Sequence, residues 1–341
     1  MSILLKGAKI LIPKSSKHNT TADILIDDNG IISAIANDLS SDKAEIVDCA
    51  GKYLTLGWFD LRAHFSDPGE EHKEDLQTGL RLAEVSGFTD VAVLPNTKPV
   101  VQTKNDVAYI KGNSRHSVCH LHPIAAVTKD ARGEELTEMM DLHHSGAVAF
   151  SDGHEPIWHT DILMKSLQYL QPFDGVLMNL AQDRWLAMFG TMHEGMASVQ
   201  LGMKGVPSVA EEIAIQRDLS LLRYAGGKIH FSCVSSAGSV GLIRNAKKEG
   251  LDVTCDVAIY QLIYTDADIN DYDTKYRVSP PLRSDLDKEA LIQGVKDGTI
   301  DCIVSNHHPQ DEECKKLEFD LSDNGMLAMQ TFWPWLLQLN E

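Results

Sequence analysis

Two patterns of apolar residues divide the chain. Residues 1–56 hold short alternating or apolar runs, Ile3–Ile12, Ala22–Ile26 and Ile31–Ile35, with the turn Asp27-Asp28-Asn29-Gly30 between the last two. Alternation puts every second side chain on one face of a strand, and an Asn-Gly pair supplies the positive φ of a tight reversal. The expectation for residues 1–56 is a small β unit of sandwich type.

After Leu56 the pattern changes. Apolar bursts recur near Tyr53–His64, Phe88–Asn96, Val118–Val127, Gly146–Asp152, Gly175–Gln182, Lys228–Ser235, Asp252–Ala258 and Ile300–His307, with stretches of helical period between them. Strands buried on both faces read as continuous apolar runs, and each parallel return needs a crossover helix. Residues 57–341 are therefore predicted to form an α/β fold, a (β/α)8 TIM-like barrel. Helix ends are marked as well. Ser208 and Glu211 have the spacing of a capping box for a helix running to Gly226-Gly227, and Ser236 opens another that stops at Gly250. Thr160 precedes Ile162, Leu163, Leu167 and Leu170, spaced for one helical face. Barrels of this type place their chemistry at the carboxyl ends of the strands, so the polar residues closing each burst are the candidates.

Composition narrows the classes of partner. A formal charge of -18 disfavours nucleic acid and anionic membrane surfaces. No apolar run reaches the roughly 18 residues that a membrane span requires. The six cysteines are scattered without a C-x-x-C pair, and MSILLKGAKILIP lacks the apolar core of a signal peptide, so a reduced, cytoplasmic protein is expected.

Gly57-Trp-Phe-Asp-Leu-Arg-Ala-His-Phe-Ser-Asp-Pro-Gly69 is similar to the first-strand signature of dihydroorotases and related cyclic amidohydrolases, which carries D-x-H-x-H. Gly87–Thr97, Ala147–Asp152, His193-Glu-Gly195, Pro207–Asp218, Pro280-Pro-Leu-Arg283 and Gly298–Pro309 resemble later motifs of the same family, in order. The resemblance implies an amidohydrolase barrel and two zinc ions that activate a bridging hydroxide, with an aspartate at the end of the eighth strand moving the proton.

Position by position, the same resemblance implies loss. Arg62 stands at the first histidine, and a guanidinium has no lone pair for a metal. His64 keeps the second histidine, the bridging carboxylate falls at or beside Asp152, Leu180 replaces the fifth-strand histidine and Cys233 the sixth-strand one. Asn306 stands at the catalytic aspartate and is not a base. Among substrate positions Asn96 is kept, while Ser66, Ser279 and Gln310 replace an arginine, an asparagine and a histidine. His64, Asp152 and Cys233 are expected as vestigial ligands, with zinc absent or weakly bound. Arg62 is expected to replace the metal charge by pairing with Asp152.

The implied function is a non-catalytic dihydroorotase homologue of pyrimidine biosynthesis, acting structurally or regulatorily on aspartate transcarbamoylase. The alternatives are an active zinc-dependent dihydroorotase interconverting dihydroorotate and carbamoyl aspartate, and a small-molecule binding module using the emptied pocket. The resemblance implies that family members continue past the helix starting near Gly325 and return strands to the N-terminal β unit, whereas this sequence stops at Glu341. Apolar surface left exposed along Met326–Leu339 is expected to need cover, from another subunit of a homo-oligomer.

Overall fold

The computed structural model describes residues 2–339; Met1, Asn340 and Glu341, and with them the outer limits of the two expected units, lie outside the described residues. The chain forms two compact units, the first through Trp58 and the second from Phe59, two residues beyond the predicted boundary.

The first unit is built on one five-stranded sheet. Its central strand, Ile3–Ile10, pairs antiparallel with Thr21–Ile26 and parallel with Glu45–Asp48 and Tyr53–Leu54, and Ile32–Ala36 adds to the free edge of Thr21–Ile26. Ala8, Ile10, Ala22 and Ile24 make its core. The predicted turn closes on Asp27, whose Oδ1 accepts from the Asn29 and Ile31 amides, while Gly30 takes φ +79°.

The second unit is built on eight parallel strands in sequence order: Trp58–Ala63, Phe88–Val93, His120–Ala125, Ala149–Phe150, Leu177–Asn179, Ile229–Phe231, Val253–Ala258 and Cys302–Val304. Each lies within one of the predicted bursts. An Ala63–His307 bridge, with the His64 amide donating to the His307 carbonyl at 2.8 Å, brings the eighth strand back to the first and closes the barrel. Ala92, Leu94, Ile124, Ala149 and Met178 pack together within it.

The helix Thr160–Leu170 buries the four apolar residues predicted for its inner face. Ser236 caps Ala237–Lys248 by accepting from the Ser239 amide, and Gly250 follows at φ +82°. The Ser208–Glu211 capping box does not form. Ser208 makes no cap hydrogen bond, and the Glu211 carboxylate accepts instead from the Ser235 amide and hydroxyl and the Ser236 amide. A buried carboxylate satisfied by three donors across the fold outcompetes a local cap worth about 1 kcal/mol.

Part of the cover expected from another subunit comes from the chain itself. Ala328 and Met329 are buried, and Phe332, opening the helix Phe332–Leu339, packs edge-on to Phe88 at 5.3 Å. No helix among the described residues is long and apolar enough to cross a membrane.

Candidate functional site

The first and eighth strands carry polar residues in two layers. In the lower layer Asp60 is buried, and its carboxylate accepts from the Ser305 amide at 3.0 Å, the Ser305 hydroxyl and the Arg62 amide. Burial pushes its pKa up to about 6 against the pull of these hydrogen bonds. In the upper layer the Arg62 side chain is wholly buried. Its Nε donates to Asn306 Oδ1 at 2.9 Å and its Nη2 to the Gly153 carbonyl at 3.0 Å, while Nη1 has no partner. No carboxylate among the described residues lies within ion-pair distance of this guanidinium. Asn306, at φ +45°, gives its amide hydrogen to the Tyr260 hydroxyl at 2.6 Å.

Beyond the fourth strand the backbone makes a fixed turn. Asp152 Oδ1 accepts from the Val127 and Thr128 amides and Oδ2 from the Thr128 hydroxyl. Burial raises this carboxyl to about 6 as well, the hydrogen bonds opposing. Asn96 clips the turn from outside: its Nδ2 donates to the Asp152 carbonyl at 2.9 Å, and its Oδ1 accepts from the His154 amide at 3.0 Å. Gly153 between them sits at φ +67°, and a Cβ there would land on Asn96 Oδ1.

The turn delivers His154 to the barrel mouth, where it meets His64 from the first strand and His308 from the eighth. The ring centroids lie 5.0 Å apart for His64 and His154, 4.7 Å for His64 and His308, and 4.2 Å for His154 and His308. One nitrogen from each ring lies within 4.8 Å of the other two. His64 Nδ1 and His154 Nε2 are buried without a partner, while His308 Nε2 lies 3.1 Å from Gln310 Nε2. Burial lowers the His64 pKa to about 4 and those of His154 and His308 well below the usual histidine range, so the rings are neutral near pH 7. His307 points away to Glu74 at 2.9 Å. Above the cluster a cavity of about 300 Å³ is lined by His154, Tyr260, Ser279, Asn306, His308 and Gln310, among others.

Comparison with known proteins places this mouth in a family. The Dihydro-orotase-like family model matches residues 51–239. A dihydroorotase of Acetivibrio thermocellus is 40% identical over 333 residues, covering 97% of this chain and 78% of that protein. The chain belongs to the dihydroorotase family. A dihydroorotase of Geobacter sulfurreducens is 37% identical over 343 residues, with coverage of 100% and 80%. Among solved structures, an L-hydantoinase (dihydropyrimidinase) from Arthrobacter aurescens superposes with TM-score 0.82 at 25% identity, covering 98% of this chain and 76% of that one.

For this dihydroorotase-family barrel, the predicted site residues divide by what their polar atoms do. The expected pairing of Arg62 with Asp152 is not formed. Asp152 spends both oxygens on Val127 and Thr128, and Arg62 reaches the next residue's carbonyl instead. Asn96 holds backbone with both ends of its amide. Cys233 is buried, its amide donating to Asp256 at 2.6 Å, and burial pushes its thiol well above the ordinary range. Leu180 presents buried hydrocarbon, and Ser66 is buried with a hydroxyl that finds no partner. Ser279 and Gln310 do line the cavity, as does Asn306.

Two features escaped the sequence reading. His154 stands two residues past the fourth apolar burst, and extending the inspection of strand ends by those two residues finds it. The second is a buried network around Arg283, which donates to the Ser235 hydroxyl at 3.0 Å and the Val206 carbonyl at 2.7 Å, and approaches His193 Nδ1 at 3.2 Å. Glu211, read as a helix cap, anchors it through Ser235.

Proposed function

We propose that this dihydroorotase-family barrel does not interconvert dihydroorotate and carbamoyl aspartate, and that it serves pyrimidine biosynthesis as a structural or regulatory partner of an aspartate transcarbamoylase. The observation carrying this reading is the Arg62–Asn306 hydrogen bond. It joins the residue in place of the first metal histidine to the residue in place of the catalytic aspartate. A guanidinium offers no lone pair, and an amide engaged at both ends is no base. With only hydrocarbon at Leu180, a further ligand position, the donor set does not fit a pair of zinc ions.

The dihydroorotase names of the relatives, together with three imidazoles at the mouth, favour an active enzyme as the second reading. Turnover separates the two. The purified, zinc-supplemented chain is assayed in both directions, with no rate above the protein-free background expected; zinc-dependent conversion of either compound overturns the proposal. The partner is tested by size-exclusion chromatography with light scattering, alone and mixed with the aspartate transcarbamoylase of the same organism. A larger joint species is expected, and independent elution removes that half of the proposal. The working picture is a cytoplasmic homo-oligomer with its cysteines reduced, all six being free in the structure.

A further inference from the structure

We infer that His64, His154 and His308 form a site for one divalent first-row transition metal ion, with its open coordination position facing the cavity at the barrel mouth. The site shares only His64 with the two-zinc signature; His154 and His308 stand at positions where that signature has no ligand. The inference does not rest on the non-hydrolytic reading above.

Three observations carry it. The first is convergence: three strand ends far apart in sequence each present an imidazole, and one nitrogen from each falls within a 4.8 Å sphere of separation. Zinc–imidazole bonds of about 2.1 Å put two nitrogens on one tetrahedral ion roughly 3.4 Å apart, within reach of small ring rotations. The second is the unmet polar demand. His64 Nδ1 and His154 Nε2 are buried with no hydrogen-bond partner, a condition native interiors avoid unless a water or ion completes it. The third is support of the backbone. The His64 amide is tied to the His307 carbonyl at 2.8 Å, the His154 amide to Asn96 at 3.0 Å, and the His308 amide to the Met326 carbonyl at 3.0 Å. All three ligands therefore leave fixed main chain, which keeps the cost of ordering them low.

The chemistry selects the ion. Neutral nitrogen donors suit zinc, cobalt(II), nickel and copper, and disfavour magnesium and calcium, which take oxygen. Three protein ligands beneath a cavity leave a position for water or a small anion. Arg62 opposes the ion, since its positive charge reaches all three rings. Replacing Arg62 by methionine should therefore tighten binding.

The test uses the full chain, stripped with chelator and titrated with cobalt(II). Visible d–d absorption is expected to saturate at one equivalent. His154→Ala and His308→Ala should each weaken binding at least tenfold, as even second-shell losses cost about 10–100-fold; exposed His120→Ala should leave it unchanged. No cobalt band, or affinity unchanged in both variants, overturns the site. X-ray absorption at the cobalt edge of the unsubstituted protein needs no variant to fold: three imidazole shells support the site, and a shell of oxygen or sulfur without them overturns it. Dihydroorotate turnover by the loaded chain would sink the non-hydrolytic reading and leave the metal count standing. Failure to bind cobalt together with absent turnover would do the reverse.

Discussion

The first and eighth strands meet in two layers that treat burial differently. At Asp60 and Ser305 the carboxylate oxygens collect three donors, and the pair locks the barrel seam. One pleat higher, Arg62 is buried as deeply, yet it has no carboxylate and one of its nitrogens has no partner; two of the neighbouring imidazole nitrogens share that condition. A satisfied buried charge belongs to the scaffold. Unsatisfied buried nitrogens gathered at a strand-end mouth mark a place where something else is accommodated.

This contrast can be broken from either side. Asp60→Ala orphans the Ser305 hydroxyl and two amides, and should cost about 3–5 kcal/mol in denaturant unfolding, or prevent folding. The milder Asp60→Asn tests the same layer through pH. A buried acid with its pKa raised to about 6 is protonated in the folded state before the unfolded one, so its contribution is fully present below pH 4 and lost as pH rises through 6. The stability of the unsubstituted protein relative to Asp60→Asn should thus fall by on the order of 3 kcal/mol between pH 4 and pH 7. A flat difference across that range would remove the argument. Gly153→Ala forces a side chain into positive φ and onto Asn96, and should destabilise by about 2 kcal/mol. Adding Asn96→Ala should recover part of that loss, giving a coupling of at least about 0.5 kcal/mol in a double-mutant cycle; strict additivity would mean that Asn96 does not hold the turn. The smallest effect is expected from Arg62→Met, within about 1 kcal/mol or stabilising, because it removes a buried cation that no anion balances. A loss as large as that of Asp60→Ala would place Arg62 in the scaffold and erase the distinction between the layers.

The eight strands were legible because parallel strands covered on both sides must be apolar for their whole length, and each run marked its strand within a few residues. Side-chain identity at single positions was equally legible: the guanidinium of Arg62 and the hydrocarbon of Leu180 offer no lone pair to a metal. What a side chain does when offered several partners was not legible. Ser208 and Glu211 satisfied a local spacing rule, yet Glu211 turned to Ser235 and Ser236 because the fold brought better donors. Asp152 was assigned to Arg62 on charge, and the Thr128 loop reached it first. His154 left no periodic trace, since one imidazole after a glycine turn gains meaning only when its two companions arrive from other strands.

The Ala63–His307 bridge also orders events in time. The two ends of this seam lie about as far apart in sequence as the barrel allows, so their contact carries a large loop-closure cost and belongs late in folding. The histidine trio cannot exist until that closure is made. A nascent chain emerging from the ribosome therefore holds His64 and His154 without a third ligand until the eighth strand arrives, and any metal captured by the trio enters a barrel already shut.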